Sequence, residues 1–310
     1  MKALRHVGRL LLFAYVVGSA ALGILLANVT LHPIRARVHA AGPVQHWADS
    51  MHARFEDVAI SAADGTELRA WLVQPERSRG SIVLMHGVSD NREGVFGFAQ
   101  LFAGHGYTVL LPDSRAHGES GGAMATYGVK ERDDVARWVE WLRHRDGTSC
   151  LFGFGESMGG AILLQSVGSG GRFCAVIAES PFATFRQGAY DRLADSLRMP
   201  LWVARTFLGP AVEIGMIYAR LRYGVWLGDA NPADVVATTA TPVFLIHGLA
   251  DTNLRPQQSL AIQKANPKVI YWGVEGAAHC GAFAAAGKEF ERRVLDWFDS
   301  HAAPAGGVAR

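Results

Sequence analysis

Two stretches of the chain spell Gly-x-Ser-x-Gly, a pattern that can present a serine hydroxyl for attack on a carbonyl carbon: Gly118-Glu119-Ser120-Gly121-Gly122 and Gly155-Glu156-Ser157-Met158-Gly159. Context separates them. Ser157 follows an apolar run over residues 150–154, short enough for a buried strand, and an apolar helical pattern begins directly after it. A serine on so sharp a strand-to-helix turn sits in strained backbone with its hydroxyl pushed into the open. Gly155 and Gly159 are small because a side chain at either would collide with the neighbouring strand or helix. Ser120 lies between a polar run and Gly121-Gly122, with no strand before it and no helix after it, and is expected in a loop.

A serine hydroxyl is a poor nucleophile until a base takes its proton, and the base needs a carboxylate to set its tautomer and stabilise the imidazolium. His279 lies in a loop after the last apolar run, and Asp251 lies four residues beyond the run that ends at His247, so the chain order is Ser, Asp, His. Asp113 also closes an apolar run and competes for the carboxylate role. Asp251 is preferred because its run directly precedes that of the histidine, which leaves Asp113 to bond its own loop. His86, His117 and His247 each precede glycine and are read as structural hydrogen-bonding groups. Glu156 is expected in packing or a local ion pair. Cys280, beside His279, is read as filler, since chain neighbours seldom point at one another.

These residues need a scaffold. Residues 58–61 and 68–73 flank Asp64-Gly65, a hairpin signal. Apolar runs at 81–85, 107–111, 150–154, 173–178, 242–246 and 269–272 then alternate with helical patterns at 96–106, 129–145, 256–265 and 290–298. Runs buried on both faces and alternating with helices predict an α/β fold with a mostly parallel eight-stranded sheet and active residues at the strands' carboxyl ends. Residues 181–241 interrupt the alternation with about sixty positions rich in Trp, Tyr, Phe, Arg and Leu, read as an inserted helical cap. Phe182, Phe185, Tyr190, Trp202, Phe207, Tyr218, Tyr223 and Trp226 of that insert offer an acyl pocket or mere packing. Arg186, Arg192, Arg205, Arg220 and Arg222 offer an anion contact or a solvated face.

With 49% hydrophobic and 19% charged residues the chain is globular, with apolar content beyond what one core needs. The excess lies at residues 10–29, an almost unbroken apolar segment behind Lys2, Arg5 and Arg9; twenty helical residues cross about 30 Å of hydrocarbon. It is read as an uncleaved transmembrane anchor rather than a signal peptide, because it exceeds a signal core and the candidate cleavage site Val38-His39-Ala40 lies far beyond it. The flanking charges lean toward a cytoplasmic amino terminus and a catalytic domain on the non-cytoplasmic side.

The expected organisation is a basic segment 1–9, anchor 10–29, linker 30–54, catalytic domain 55–301 and a loose tail 302–310. A net charge of +2 without basic clusters past residue 40 excludes a nucleic-acid partner. The 12 histidines show no HExxH-type spacing, and no metal or cofactor is expected. Cys150, Cys174 and Cys280 lack paired spacing; the first two fall in neighbouring buried runs and are read as free apolar filler.

Five motifs in order, His86-Gly87, the run from Asp113 to Gly122, Gly155-Glu156-Ser157-Met158-Gly159, His247-Gly248-Leu249-Ala250-Asp251 and Ala278-His279, make residues 55–300 resemble an α/β-hydrolase. The chain is similar to membrane-anchored serine hydrolases related to prolyl-oligopeptidase and dipeptidyl-peptidase catalytic domains. That resemblance implies Ser157 as nucleophile, His279 as general base and then acid, and Asp251 as its partner. It also implies an oxyanion hole from the backbone N–H groups of Val88 and Met158. His86-Gly87-Val88 departs from the His-Gly-Gly-Gly run of some lipases, so bulky alcohol groups are not implied. The expected activity is cleavage of a small-molecule carboxylic ester through an acyl-enzyme. A peptidase or acyltransferase of the same fold is the alternative, and a catalytically silent, membrane-tethered binding module the alternative of another class.

Overall fold

A computed structural model describes residues 1–39, 41–146, 150–170 and 172–302 of the protein. Among them eight strands form one sheet: β1 (Arg54–Ser61), β2 (Glu67–Gln74), β3 (Ser81–Met85), β4 (Thr108–Pro112), β5 (Leu151–Glu156), β6 (Ala175–Glu179), β7 (Val243–Gly248) and β8 (Ile270–Val274). Their order is β1-β2-β4-β3-β5-β6-β7-β8. The hairpin β1–β2 joins β4 antiparallel, and every pairing from β4 across to β8 is parallel.

Alternation along each strand sends side chains to two cores. Ile82, Leu84, Phe152 and Phe154 pack on one face with Phe98 and Phe102 of α3 (Phe96–Gly104) and Phe290 and Phe298 of α12 (Lys288–His301). Val83, Met85 and Leu151 face Trp138 and Leu142 of α4 (Glu131–Asp146) and Ile162 and Leu163 of α5 (Met158–Ser166) on the other. Each such fully buried large apolar side chain contributes roughly 1.5–3 kcal/mol. All nine residues of α5 are buried, which fixes the helix that carries Ser157 at its head.

Two expectations are corrected here. The stretch before β1, expected as linker, contains α2 (Gly42–Ser50). Pro43 sits in its first turn, where a missing N–H costs nothing, and Val44 and Ala48, one turn apart, are buried on the sheet. Cys150 and Cys174, expected as free thiols, form a disulfide between the segments leading into β5 and β6. Adjacency of those two strands brings the sulfurs together across 24 positions of chain, and a loop of that size stabilises the fold by about 3 kcal/mol. A maleimide is therefore expected to add to one thiol of the denatured, unreduced chain, Cys280, and to three after reduction, read by intact mass.

The insert after β6 forms α6 (Phe185–Ser196), α7 (Leu201–Phe207) and α8 (Gly209–Tyr223), a 3-10 turn at Leu227–Asp229, and α9 (Pro232–Thr238). Asp191 of α6, buried, accepts from Gln258 Nε2 at 2.6 Å, and Gln258 Oε1 accepts the N–H of Ala183 at 2.9 Å; this ties the insert to α10 (Gln257–Ala265). The apolar amino-terminal segment lies within α1 (Lys2–Leu31), among the described residues the one helix long and apolar enough to cross a membrane. It packs along α8. Gly23 is backed against Ala211 and Gly215 so closely that a Cβ would stand 2.5 Å from Ala211 O. The tail from residue 303 and the cleavage-site residue Ala40 lie outside the described residues.

Candidate active site

β5 ends at Glu156 and α5 begins at Met158, leaving Ser157 alone on the turn at φ 51° and ψ −115°, a backbone region that costs a non-glycine residue energy. The turn closes only because its neighbours lack side chains: a Cβ on Gly155 would lie 2.6 Å from the Gly159 carbonyl carbon, and one on Gly159 would lie 2.3 Å from Met85 O. The Ser157 N–H donates to Glu179 O at 2.8 Å, pinning the elbow to β6.

The structure brings Ser157, His279 and Asp251 together from three loops at the carboxyl ends of β5, β7 and β8. The Ser157 hydroxyl donates to His279 Nε2 at 2.9 Å, and His279 Nδ1–H donates to Asp251 Oδ2 at 2.7 Å. Asp251 Oδ1 accepts the N–H groups of Asn253 and Leu254, each at 3.0 Å. Burial alone would raise the Asp251 pKa. Hydrogen bonds with His247 and His279, with help from the Leu254 N–H, instead hold the carboxyl well below the usual carboxylate range. It is a fixed negative charge.

Val88 and Met158 line the cavity beside Ser157. As the first residue of α5, Met158 has an N–H with no acceptor within the helix, free to meet an oxygen. Ser120, the other serine in this pattern, is fully buried in its loop; its hydroxyl donates to Asp113 O at 2.7 Å and accepts the Arg69 N–H at 2.9 Å. Asp113 is held away from His279, accepting the N–H groups of Arg92 and Glu119, each at 2.8 Å. His86 Nδ1–H donates to Gly87 O at 2.7 Å while its Nε2 accepts the Ser114 N–H at 3.0 Å, and His117 bonds Arg115 O at 3.0 Å.

Sequence reasoning read His247 as a structural hydrogen-bonding group and did not single out Glu179 or Ser180, which the structure adds to the surroundings of the site. His247 braces the acid: its Nε2 lies 2.7 Å from Leu254 O and 3.3 Å from Asp251 Oδ2, and its Nδ1 accepts from the Ser259 hydroxyl at 2.7 Å. Glu179 and Ser180 hold the histidine loop from β6. Glu179 Oε1 accepts the Ala282 N–H at 2.9 Å, and Ser180 Oγ accepts that of Cys280 at 3.4 Å. Glu156 makes no ion pair among the described residues. It stands beside Glu179 in register on the adjacent strand. Burial, then the Glu179 and Asp90 charges, push its carboxyl up to about 8; burial, against the Ala282 N–H, takes Glu179 to about 7. Cys280 is free, and burial together with these acids pushes its thiol up, so it stays protonated.

The acid pair makes stability pH-dependent with a definite sign. The unfolded chain loses these protons near the ordinary value of 4.5 and the folded chain only near 7 and 8, so the pair's own contribution to stability is fully present below 4.5 and is lost as pH rises to 8. Glu156→Gln is expected to raise the Tm at pH 8 and to leave it nearly unchanged at pH 5, as measured by calorimetry at the two pH values.

One cavity of about 380 Å³ opens on Ser157, a size suited to a small ligand. Of the cap aromatics, Phe182 and Phe185 line it; Trp202 and Phe207 face outward, and Tyr223 turns to Asn28 of α1. Arg192 reaches the cavity, whereas Arg186 pairs with Glu213 at 2.7 Å and Arg220 lies over the Trp226 ring. The wall that sequence reasoning missed comes from the end of α1 and the residues after it, Leu26 to Ile34. Among the described residues no cluster of His, Cys, Asp and Glu is placed to hold a metal ion.

A parallel sheet flanked by helices, a serine elbow after β5, an acid after β7 and a histidine after β8 define an α/β-hydrolase, and this chain is one by fold. A family model described as "Serine aminopeptidase, S33" matches residues 76–213. The chain is 29% identical over 248 residues to the uncharacterized protein YqkD of Bacillus subtilis, covering 78% of each. It superposes on the Pyrococcus furiosus esterase Pf2001 with a TM-score of 0.69 at 22% identity, covering 87% of this chain and 100% of that one. The Pyrococcus horikoshii acylaminoacyl peptidase gives 0.60 at 16% identity, over 88% of this chain and 45% of the other.

Proposed function

We propose that the protein is a serine hydrolase of carboxylic esters, held at a membrane by α1 with its catalytic domain on the non-cytoplasmic side. The observation that carries the reading is the continuous line of hydrogen bonds from the Ser157 hydroxyl through His279 to Asp251 at the floor of the cavity. In the first step Ser157 Oγ bonds to the acyl carbon as its proton passes to His279 Nε2, and Asp251 stabilises the imidazolium. The carbonyl oxygen becomes an anion facing the N–H groups of Val88 and Met158, where one donor is worth about 3 kcal/mol. Collapse breaks the acyl–alcohol bond, and the alcohol leaves with the proton from His279. Water, deprotonated by the same ring, then releases the acid and restores the serine.

Ester is favoured over aminopeptidase substrates by charge. An aminopeptidase must hold an α-ammonium, yet among the described residues lining the cavity there is no Asp or Glu, and the cation Arg192 is present. The topology is supported by the basic residues ahead of the apolar segment and by the Cys150–Cys174 disulfide, which persists in oxidising compartments. The test is labelling with a fluorophosphonate, followed by p-nitrophenyl esters of graded chain length set against peptide-coumarin substrates. A wild-type protein that resists the fluorophosphonate as fully as Ser157→Ala does would overturn the reading, and preference for the peptides would assign a peptidase.

A further inference from the structure

The cavity above Ser157 is walled partly by the apolar amino-terminal helix itself, through Leu26, Ala27, Val29 and Thr30 near the carboxyl end of α1. A helix that served only as a tether would have no reason to shape the substrate site. The facing wall is α8, and the two helices are locked by the Gly23–Gly215 backbone contact. At one end of this contact Tyr15 donates its hydroxyl to Phe207 O at 3.0 Å; at the other Tyr223 bonds Asn28. The cap therefore accompanies α1 from residue 15 to residue 28, about 20 Å of helix.

That geometry limits how α1 can sit in a bilayer. Of the apolar residues 10–29 only 10–14, about 8 Å of helix behind Lys2, Arg5 and Arg9, lie ahead of Tyr15, whereas a hydrocarbon core is about 30 Å thick. If α1 crosses, the cap beside its second half must enter the bilayer with it. The outer surface of the cap exposes large apolar side chains together with Arg205, Arg220 and Arg222, whose long stems let a charged end reach the headgroups. Trp202 and Phe207 on α7 and Ile217 and Leu221 on α8 are exposed, Leu221 to 82% and Trp202 to 66%, beside the exposed Leu25 and Val29 of α1. Large apolar side chains so exposed and gathered next to a membrane helix mark a surface that meets something apolar.

We infer that α7 and α8 are immersed in the bilayer beside α1 and that the site takes a long-chain acyl ester directly from it, the chain entering the cavity that α1 and α8 help to wall. This rests on the ester-hydrolase reading above and names its substrate class. The cavity meets α1 at its outer end, the depth at which a lipid's ester carbonyl lies, while its hydrocarbon chain points back toward the middle of the membrane. Arg192, exposed at the cavity, is the group that faces the polar end of the substrate or the released carboxylate.

The test uses the full chain reconstituted in vesicles of ether-linked phosphatidylcholine, which offer no competing ester. Two substrates share one leaving group: p-nitrophenyl acetate, dissolved in water, and p-nitrophenyl oleate, dissolved in the bilayer. In the double variant Trp202→Asp with Leu221→Asp, oleate hydrolysis is expected to fall about tenfold or more, because a carboxylate is costly to place in hydrocarbon. Acetate hydrolysis should stay within about twofold of wild type, since neither side chain lines the cavity. Equal rates of the two proteins on oleate, or an equal fall on both substrates, would overturn the inference and leave ester hydrolysis standing. Failure of the wild type on acetate would instead sink the hydrolase reading itself. Fluorescence gives an independent decision. Lipids brominated along their acyl chains should quench wild-type emission more than that of Trp202→Phe, and identical quenching would place Trp202 outside the hydrocarbon and end the proposal.

Discussion

Ser157→Ala is expected to lower kcat for p-nitrophenyl acetate by about 10⁴ to 10⁶, with little change in KM. Loss of the hydroxyl leaves the cavity, the N–H groups of Val88 and Met158 and the His279–Asp251 pair in place, so substrate still binds and the anion is still met. What disappears is the covalent route. Water has to attack from bulk, without the 2.9 Å contact that hands the proton to His279 Nε2. The residual rate measures the oxyanion donors and substrate positioning together. Removing one hydroxyl from a strained turn does not add bulk, so the melting temperature should hold or rise slightly. Burst kinetics give a second check: p-nitrophenol released in proportion to enzyme ahead of the steady state in the wild type, and no burst in the variant.

Asp251→Asn is expected to cost about 10⁴ in kcat through the histidine rather than through the serine. The asparagine oxygen can still accept the N–H groups of Asn253 and Leu254 at the Oδ1 position, so the loop keeps its shape. The Oδ2 position, however, becomes an NH₂ group facing His279 Nδ1 at hydrogen-bond distance. Two donors cannot share a proton contact, and the ring answers by taking the other tautomer, with a hydrogen on Nε2 pointing at Ser157. A base that already carries the proton cannot remove one. Because His247 also lies 3.3 Å from this carboxylate, His247→Phe should reproduce a smaller part of the same loss, by loosening the acid without neutralising it. Kinetics of the three proteins against p-nitrophenyl acetate, with melting temperatures to exclude misfolding, order these effects. Equal losses in Asp251→Asn and His247→Phe would mean that the carboxylate's charge contributes nothing beyond its position.

The local elements were legible because their signals are local. The apolar runs became β3 to β8, and the helical patterns became α3, α4, α10 and α12, since burial on two faces or on one stripe imposes a spacing that neighbours in the chain reveal. The elbow was legible from its spelling: Gly155 answers a collision with Gly159 inside the turn itself, whereas Gly159 answers one with Met85 on β3 that no short window shows. The stretch read as linker concealed α2 because only two of its nine residues are buried, too few to write a period.

By itself the sequence determined the α/β order, the candidate serine and the chain order in which an acid and a histidine follow it. It preferred Asp251 to Asp113 as the histidine's acid on chain order alone, and the structure places Asp251 in hydrogen bond with His279 and Asp113 in its own loop. Only the tertiary structure paired Cys150 with Cys174, set Glu156 beside Glu179, braced Asp251 with His247 and folded the end of α1 into the wall of the cavity. The physical reason is common to all four. A side chain's type states what it can bond or exclude, but its partner is chosen by which strands lie side by side and which helices cross, and those contacts join positions that no short window of sequence contains.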